Sequence, residues 1–93
     1  MESVSYELDG DVAIVRLDDG KANALSPAVI EALEAAADRA EREASALVLL
    51  GREKRLSAGF DLTVMSGEVE AMRGLVVAGG ALMVRLYLSP VPV

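Results

Sequence analysis

Ninety-three residues carry nine basic and fifteen acidic side chains, a formal charge of −6, with neither cysteine nor histidine. These counts exclude disulfides and thiolate metal sites and a Ser-His-Asp triad or any other imidazole base, while the acidic balance argues against nucleic acid and anionic membrane as partners. At 53 % apolar the chain is rich for a small domain that hides only about 60–65 % of its unfolded surface, so the excess points to an oligomer contact or to a chain that is part of something larger.

Met1-Glu2-Ser3-Val4 lacks an apolar signal core, and Gly74–Val84, the longest uncharged apolar stretch, falls short of the ~20 residues of a bilayer span; the expected location is cytoplasmic. Val4, Tyr6 and Leu8 alternate with polar residues at the period of a half-buried strand. Asp9-Gly10 suits a tight hairpin turn, and Val12–Leu17 is the return strand. Asp18-Asp19-Gly20 breaks it, and Lys21–Leu25 is a short loop. Ser26-Pro27 starts a helix, with the hydroxyl as cap and proline at a position that leaves no N–H unpaired. The helix runs to about Glu43, with Ile30, Leu33, Ala37 and Ala40 on one face. Glu31, Glu34, Asp38 and Glu41 form an opposite stripe expected to be solvated, with Asp38 and Arg42 as an i,i+4 pair.

Ala46–Leu50, apolar throughout, predicts a parallel strand buried on both faces. After the charged loop Arg52–Arg55, Asp61 caps a helical turn over Leu62–Met65. A longer helix from about Glu68 to Leu88 buries Met72, Leu75, Val76, Leu82, Met83 and Leu86. Gly79-Gly80 inside it marks close helix packing or a local break.

Two segments can carry chemistry. In Leu56-Ser57-Ala58-Gly59-Phe60-Asp61-Leu62 small residues leave the backbone open, and a turn feeding a helix start exposes N–H groups suited to an oxyanion or phosphate. The plainer reading is a strand-to-helix turn capped by Asp61. In Lys21-Ala22-Asn23-Ala24-Leu25, Lys21 can meet a phosphate and Asn23 can bond the backbone locally; alone, the segment reads as a polar loop with a solvated lysine.

Taken together, the order of hairpin, Lys-x-Asn-Ala-Leu loop, helix, buried strand, Ser-Ala-Gly-Phe-Asp-Leu, long helix and Ser-Pro-Val-Pro-Val resembles the amino-terminal part of the crotonase superfamily, the enoyl-CoA hydratase/isomerase family, over essentially the whole chain. The resemblance implies an α/β, crotonase-like ββα-spiral fold, of which residues 1–93 are the amino-terminal part of a single domain. It implies an enzyme of fatty-acid or related acyl-CoA metabolism, hydratase (lyase) or isomerase, with coenzyme A present as part of the thioester substrate and no permanently bound cofactor or metal. The family stabilises an enolate-like oxyanion with two backbone N–H groups, and the first falls here on Phe60. Ala58, Gly59, Asp61 and Leu62 would line the coenzyme A path, with Lys21, Ala22 and Ala24 as the other contacting loop and Arg52, Lys54 and Arg55 as possible aids. A homo-oligomer, trimer or hexamer, is implied for the complete protein.

The family's second oxyanion donor and its acid/base glutamates lie at or beyond a Gly-rich turn following the strand that Pro92-Val93 would begin, so the sequence as given reads as incomplete. Ser57 has no base partner, and Glu68 and Glu70 open a helix where acids are favourable anyway. The alternative is a non-catalytic crotonase-like chain that binds coenzyme A or serves as an assembly module.

Overall fold

The computed structural model describes residues 3–93. Strand β1 (Val4–Asp9) pairs antiparallel with β2 (Val12–Leu17) through all six positions, Val4 opposite Leu17 and Asp9 opposite Val12. The two-residue loop is therefore Gly10-Asp11, one residue later than Asp9-Gly10. Gly10 takes φ +64°, the positive value that the first loop position of a type II′ hairpin requires and that glycine adopts without strain.

Strand β3 (Ala24–Leu25) leads into helix α1 (Pro27–Glu43). The Ser26 hydroxyl accepts from the Val29 N–H at 3.2 Å, and Pro27 occupies the first turn. Helix α1 crosses over to β4 (Ala46–Leu50), which pairs parallel to β2 and gives the order β1-β2-β4. The expected face of α1 is buried, joined by Val29 and Ala36. It packs with Ala13, Val15 and Leu17 of β2, Leu47 of β4, and Leu75 and Leu82 of the last helix to form the core.

Three expectations change. First, β4 is buried on one face only: Leu47 is in the core, whereas Val48 and Leu50 are 41 % and 40 % exposed, because α1 covers one side of the sheet and no described element covers the other. Ile14 and Arg16 stand opposite them in register and extend this uncovered face. Second, the acid stripe of α1 is not simply solvated. Arg85 donates to Glu34 at 2.7 Å, to Glu41 at 3.0 Å and to Asp38. The expected Asp38–Arg42 pair gives way to Arg39–Glu43 at 2.6 Å. Third, the last helix, α3 (Val69–Tyr87), buries Leu75, Gly79 and Leu82, with Met72 and Leu86 half-buried and Val76 and Met83 exposed. Its inner face is narrow because it meets mainly α1 and the short helix α2 (Leu62–Met65).

Helix α3 runs unbroken through Gly79-Gly80. Of the two readings of that pair, close packing holds at Gly79, where a Cβ would approach the Phe60 ring to 3.0 Å at Cζ and closer at Cε1; at Gly80 the space is open. Past α3, the Pro92 carbonyl accepts from the Leu47 N–H at 2.8 Å and places the tail on the outer edge of β4. No helix among the described residues is long and apolar enough to cross a membrane.

Candidate functional site

The two segments singled out in the sequence meet. Strand β3 and β5 (Gly59–Phe60) pair in parallel, Ala24 opposite Gly59 and Leu25 opposite Phe60. Backbone bonds on either side extend the contact, from Ala58 N–H to the Ala22 carbonyl and from Asp61 N–H to the Leu25 carbonyl, both at 2.9 Å. The chain can bend into this register because Gly59 adopts φ +97°, a conformation essentially closed to a residue with a Cβ.

Two side chains hold the loops in place. Asn23, with 0 % exposure and φ +58°, is the only buried polar residue among the described residues, and asparagine tolerates the left-handed conformation better than most residues. Its amide nitrogen donates to the Leu17 carbonyl at 2.7 Å and to the Leu56 carbonyl at 3.0 Å, so one side chain ties the end of β2 to the start of the second loop. Its amide oxygen accepts from the Asp19 N–H at 3.0 Å. Asp19 answers by accepting from the N–H groups of Lys21 (2.7 Å), Asn23 (3.0 Å) and Ala24 (3.2 Å). Burial pushes the Asp19 carboxyl up, but the three donors and the nearby Arg52 charge outweigh it and hold the group below its ordinary 3.8. Ser57 completes the join: its hydroxyl donates to the Asn23 carbonyl at 2.6 Å and accepts from the Gly59 N–H at 3.0 Å. With both roles committed to the backbone, this hydroxyl is a structural link.

Around this join lies a cavity of about 550 Å³. Lys21, Ala22 and Ala24 line it from the first loop, and Ala58, Phe60, Asp61 and Leu62 from the second, with Asp19 and Thr63 completing the wall. Of the two loop segments' expected residues Gly59 alone is absent from the lining; it supplies the bend that brings its neighbours there. Asp61 is committed to the Thr63 N–H at 2.8 Å as the cap of α2. Lys21 also borders a smaller hollow of about 290 Å³ with Arg52, Glu53 and Arg55. Arg52 is partly spent on the first loop, pairing with Asp18 at 3.2 Å and donating to the Lys21 carbonyl. Lys54 lines neither hollow. A larger hollow of about 750 Å³ between β1 and α1 contains none of the expected residues. Among the described residues no group of three or more acidic side chains could hold a metal ion.

Asp19 and Asn23 are the residues whose part the sequence reading understated. Both are Asx residues in a strand-ending loop, Asp19 directly before Gly20, a pattern that signals backbone-directed hydrogen bonds. It does not show that Asn23 reaches a carbonyl 33 positions away.

Neither a family model nor a curated protein matches the chain. Solved structures do. An enoyl-CoA isomerase of Mycobacterium tuberculosis, 40 % identical, superposes with a TM-score of 0.90 over 97 % of this chain and 39 % of its own. The chain belongs to the enoyl-CoA hydratase/isomerase family, as an amino-terminal portion of the crotonase fold. An enoyl-CoA hydratase/isomerase family protein of Pseudomonas syringae is 44 % identical, with a TM-score of 0.87 over 90 % of this chain and 36 % of its own. An enoyl-CoA hydratase of Mycobacterium ulcerans is 38 % identical, with a TM-score of 0.91 over 98 % and 41 %. The chain thus spans about two fifths of the length of the crotonase-family structures it matches. The fold expected from the resemblance stands, and the tail, where the family's next strand was expected to begin, lies against β4.

Proposed function

We propose that the cavity between the two loops is the coenzyme A-ester side of a crotonase site, and that the Phe60 N–H is its first oxyanion donor. The observation carrying this reading is convergence: seven residues from two loops more than thirty positions apart line one cavity at the β3–β5 join. Small side chains at Ala22, Ala24 and Ala58 leave room for a ligand to approach the backbone. Lys21 borders both hollows, and its ammonium group would offset the anionic field of a chain with net charge −6 on approach of a phosphate.

In this reading a thioester carbonyl accepts from the Phe60 N–H. The fixed backbone dipole stabilises negative charge as it develops on that oxygen and so acidifies the neighbouring carbon. Proton transfer requires a further group. The two carboxylates of the cavity, Asp19 and Asp61, are already engaged with backbone N–H groups, so the described residues bind and polarise while the cavity's own carboxylates are not poised as bases. Hydratase or isomerase turnover, within fatty-acid or related acyl-CoA metabolism, belongs in this proposal to a protein that adds such a group, in a trimer or hexamer of cytoplasmic location.

The test is calorimetric titration of this chain with butanoyl-CoA and with free coenzyme A. Binding of both is expected, tighter for the thioester, and Lys21→Glu should weaken both about ten-fold. Equal affinity for the two ligands would remove the oxyanion role, and no binding of either would sink the site. Hydration of crotonyl-CoA by the 93-residue chain is expected to be undetectable; measurable turnover would contradict the account of its carboxylates.

A further inference from the structure

We infer that Gly79, in the middle of α3, is a positioning residue for the Phe60 N–H. This rests on the oxyanion role proposed for that group. Phe60 is the only phenylalanine of the chain, and its ring sits against the buried Gly79, in the volume where a Cβ would stand. Glycine weakens a helix interior relative to alanine, yet α3 passes through this point unbroken. The absence of a side chain at position 79 is what seats the ring. One residue on, Gly80 faces open space and seats nothing.

The seat matters because β5 is short. Two residues of β5 pair with two of β3, and side-chain and backbone bonds at Ser57, Ala58 and Asp61 hold the segment from the first-loop side. From the α3 side the contact is the Phe60 ring, packed on the core. A phenylalanine ring is joined to its own Cα through only two rotatable bonds, so fixing the ring restricts the attached peptide. The lock therefore runs from α3 through Gly79 and the ring to the amide nitrogen three bonds beyond.

The experiment is a double-substitution cycle on the 93-residue chain, read by the backbone amide resonance of Phe60 in ¹⁵N-labelled protein and by affinity for butanoyl-CoA. Gly79→Ala should move the Phe60 resonance and weaken binding about ten-fold, although alanine favours the helix. Phe60→Ala removes the ring and keeps the N–H. In that background Gly79→Ala should have no further effect, because there is no ring left to displace. Gly80→Ala should leave both readouts as they are. An equal loss from Gly79→Ala in both backgrounds would mark a general helix effect and overturn the proposal, as would an unmoved Phe60 resonance in the single variant. Should Gly79→Ala alone fail to fold, recovery of folding on adding Phe60→Ala supports the ring contact, and continued unfolding overturns it. If the unsubstituted chain does not bind butanoyl-CoA, the site reading fails, and the ligand-free Phe60 resonance still decides whether Gly79 sets that peptide.

Discussion

Asn23 concentrates more of the site's architecture than any other side chain. It has no access to water, so each lost hydrogen bond leaves a buried group unpaired, at about 1–3 kcal/mol. Its φ of +58° adds a backbone demand. Asn23→Gly keeps the backbone and removes the bonds; it should cost about 2–3 kcal/mol in urea unfolding. Asn23→Ala should cost about 1 kcal/mol more, the penalty of a Cβ in the left-handed region. Equal stability of both variants and the unsubstituted chain would show that the loops do not depend on this side chain. Asp19 links the same loops to pH. Its folded-state value lies below the ordinary 3.8, so its contribution is present above that value and is lost as pH falls through the depressed one. Melting temperature should thus fall on acidification below about pH 4. Asp19→Asn should flatten the part of that slope owed to this group; an unchanged acid slope would show that Asp19 is not its source. The resemblance to the crotonase superfamily implied Lys21, Ala22, Ala24 and the Ala58–Leu62 segment as candidates, and it was legible because the motifs and their order that carry it are local facts. The grip of Asn23 on Leu56 was not legible, since it depends on two loops meeting across 33 positions.

At the level of elements, the strands and helices whose signals are local lie where the sequence put them. Ser26-Pro27 starts α1, Asp61 caps α2, and alternation marks the β1–β2 hairpin. What failed depends on neighbours. An acid stripe reads the same whether water or an arginine faces it, and only the packing of α3 on α1 brings Arg85 to Glu34, Asp38 and Glu41. Hydrogen bonds donated to these carboxylates, Asp38 foremost, raise the Arg85 pKa above its already high ordinary value, so the guanidinium stays charged throughout the accessible range. Arg85→Met should destabilise the chain by about 2 kcal/mol, losing charge-assisted bonds and leaving three carboxylates of one helix face without their cation. Arg85→Lys, lacking the planar fork, should recover only part. The loss on Arg85→Met should shrink in high salt, where repulsion among the freed carboxylates is screened. Urea unfolding at two ionic strengths checks this, and an effect below about 0.5 kcal/mol would place the network among surface pairs of little weight. Because α3 also carries Gly79, a weakened α1–α3 contact should loosen the Phe60 seat as well.

At the scale of the whole molecule, much of the exposed apolar surface of the described residues lies on two uncovered faces. One is the side of the sheet bearing Val48 and Leu50; the other is the outer side of α3, where Val77, Val84 and Tyr87 are 65 %, 57 % and 89 % exposed. Parallel strands normally have both faces covered, and contiguous apolar surface on a small protein marks a contact. The helical face has the spacing of a packing stripe: Val76, Val77, Gly80, Met83, Val84 and Tyr87 recur at intervals of three and four residues along α3. With α3 turned outward and one helix able to lie along its copy, the occupant expected for the isolated chain is a second copy. Its weight-average mass in sedimentation equilibrium should rise with concentration. Val84→Glu should lower the association constant at least ten-fold, since two charges would be brought together across the contact. The same change should leave the melting temperature of the dilute chain within about 2 °C, because Val84 contributes nothing to the buried core. A mass independent of concentration, or association indifferent to Val84→Glu, would assign the stripe no role between copies.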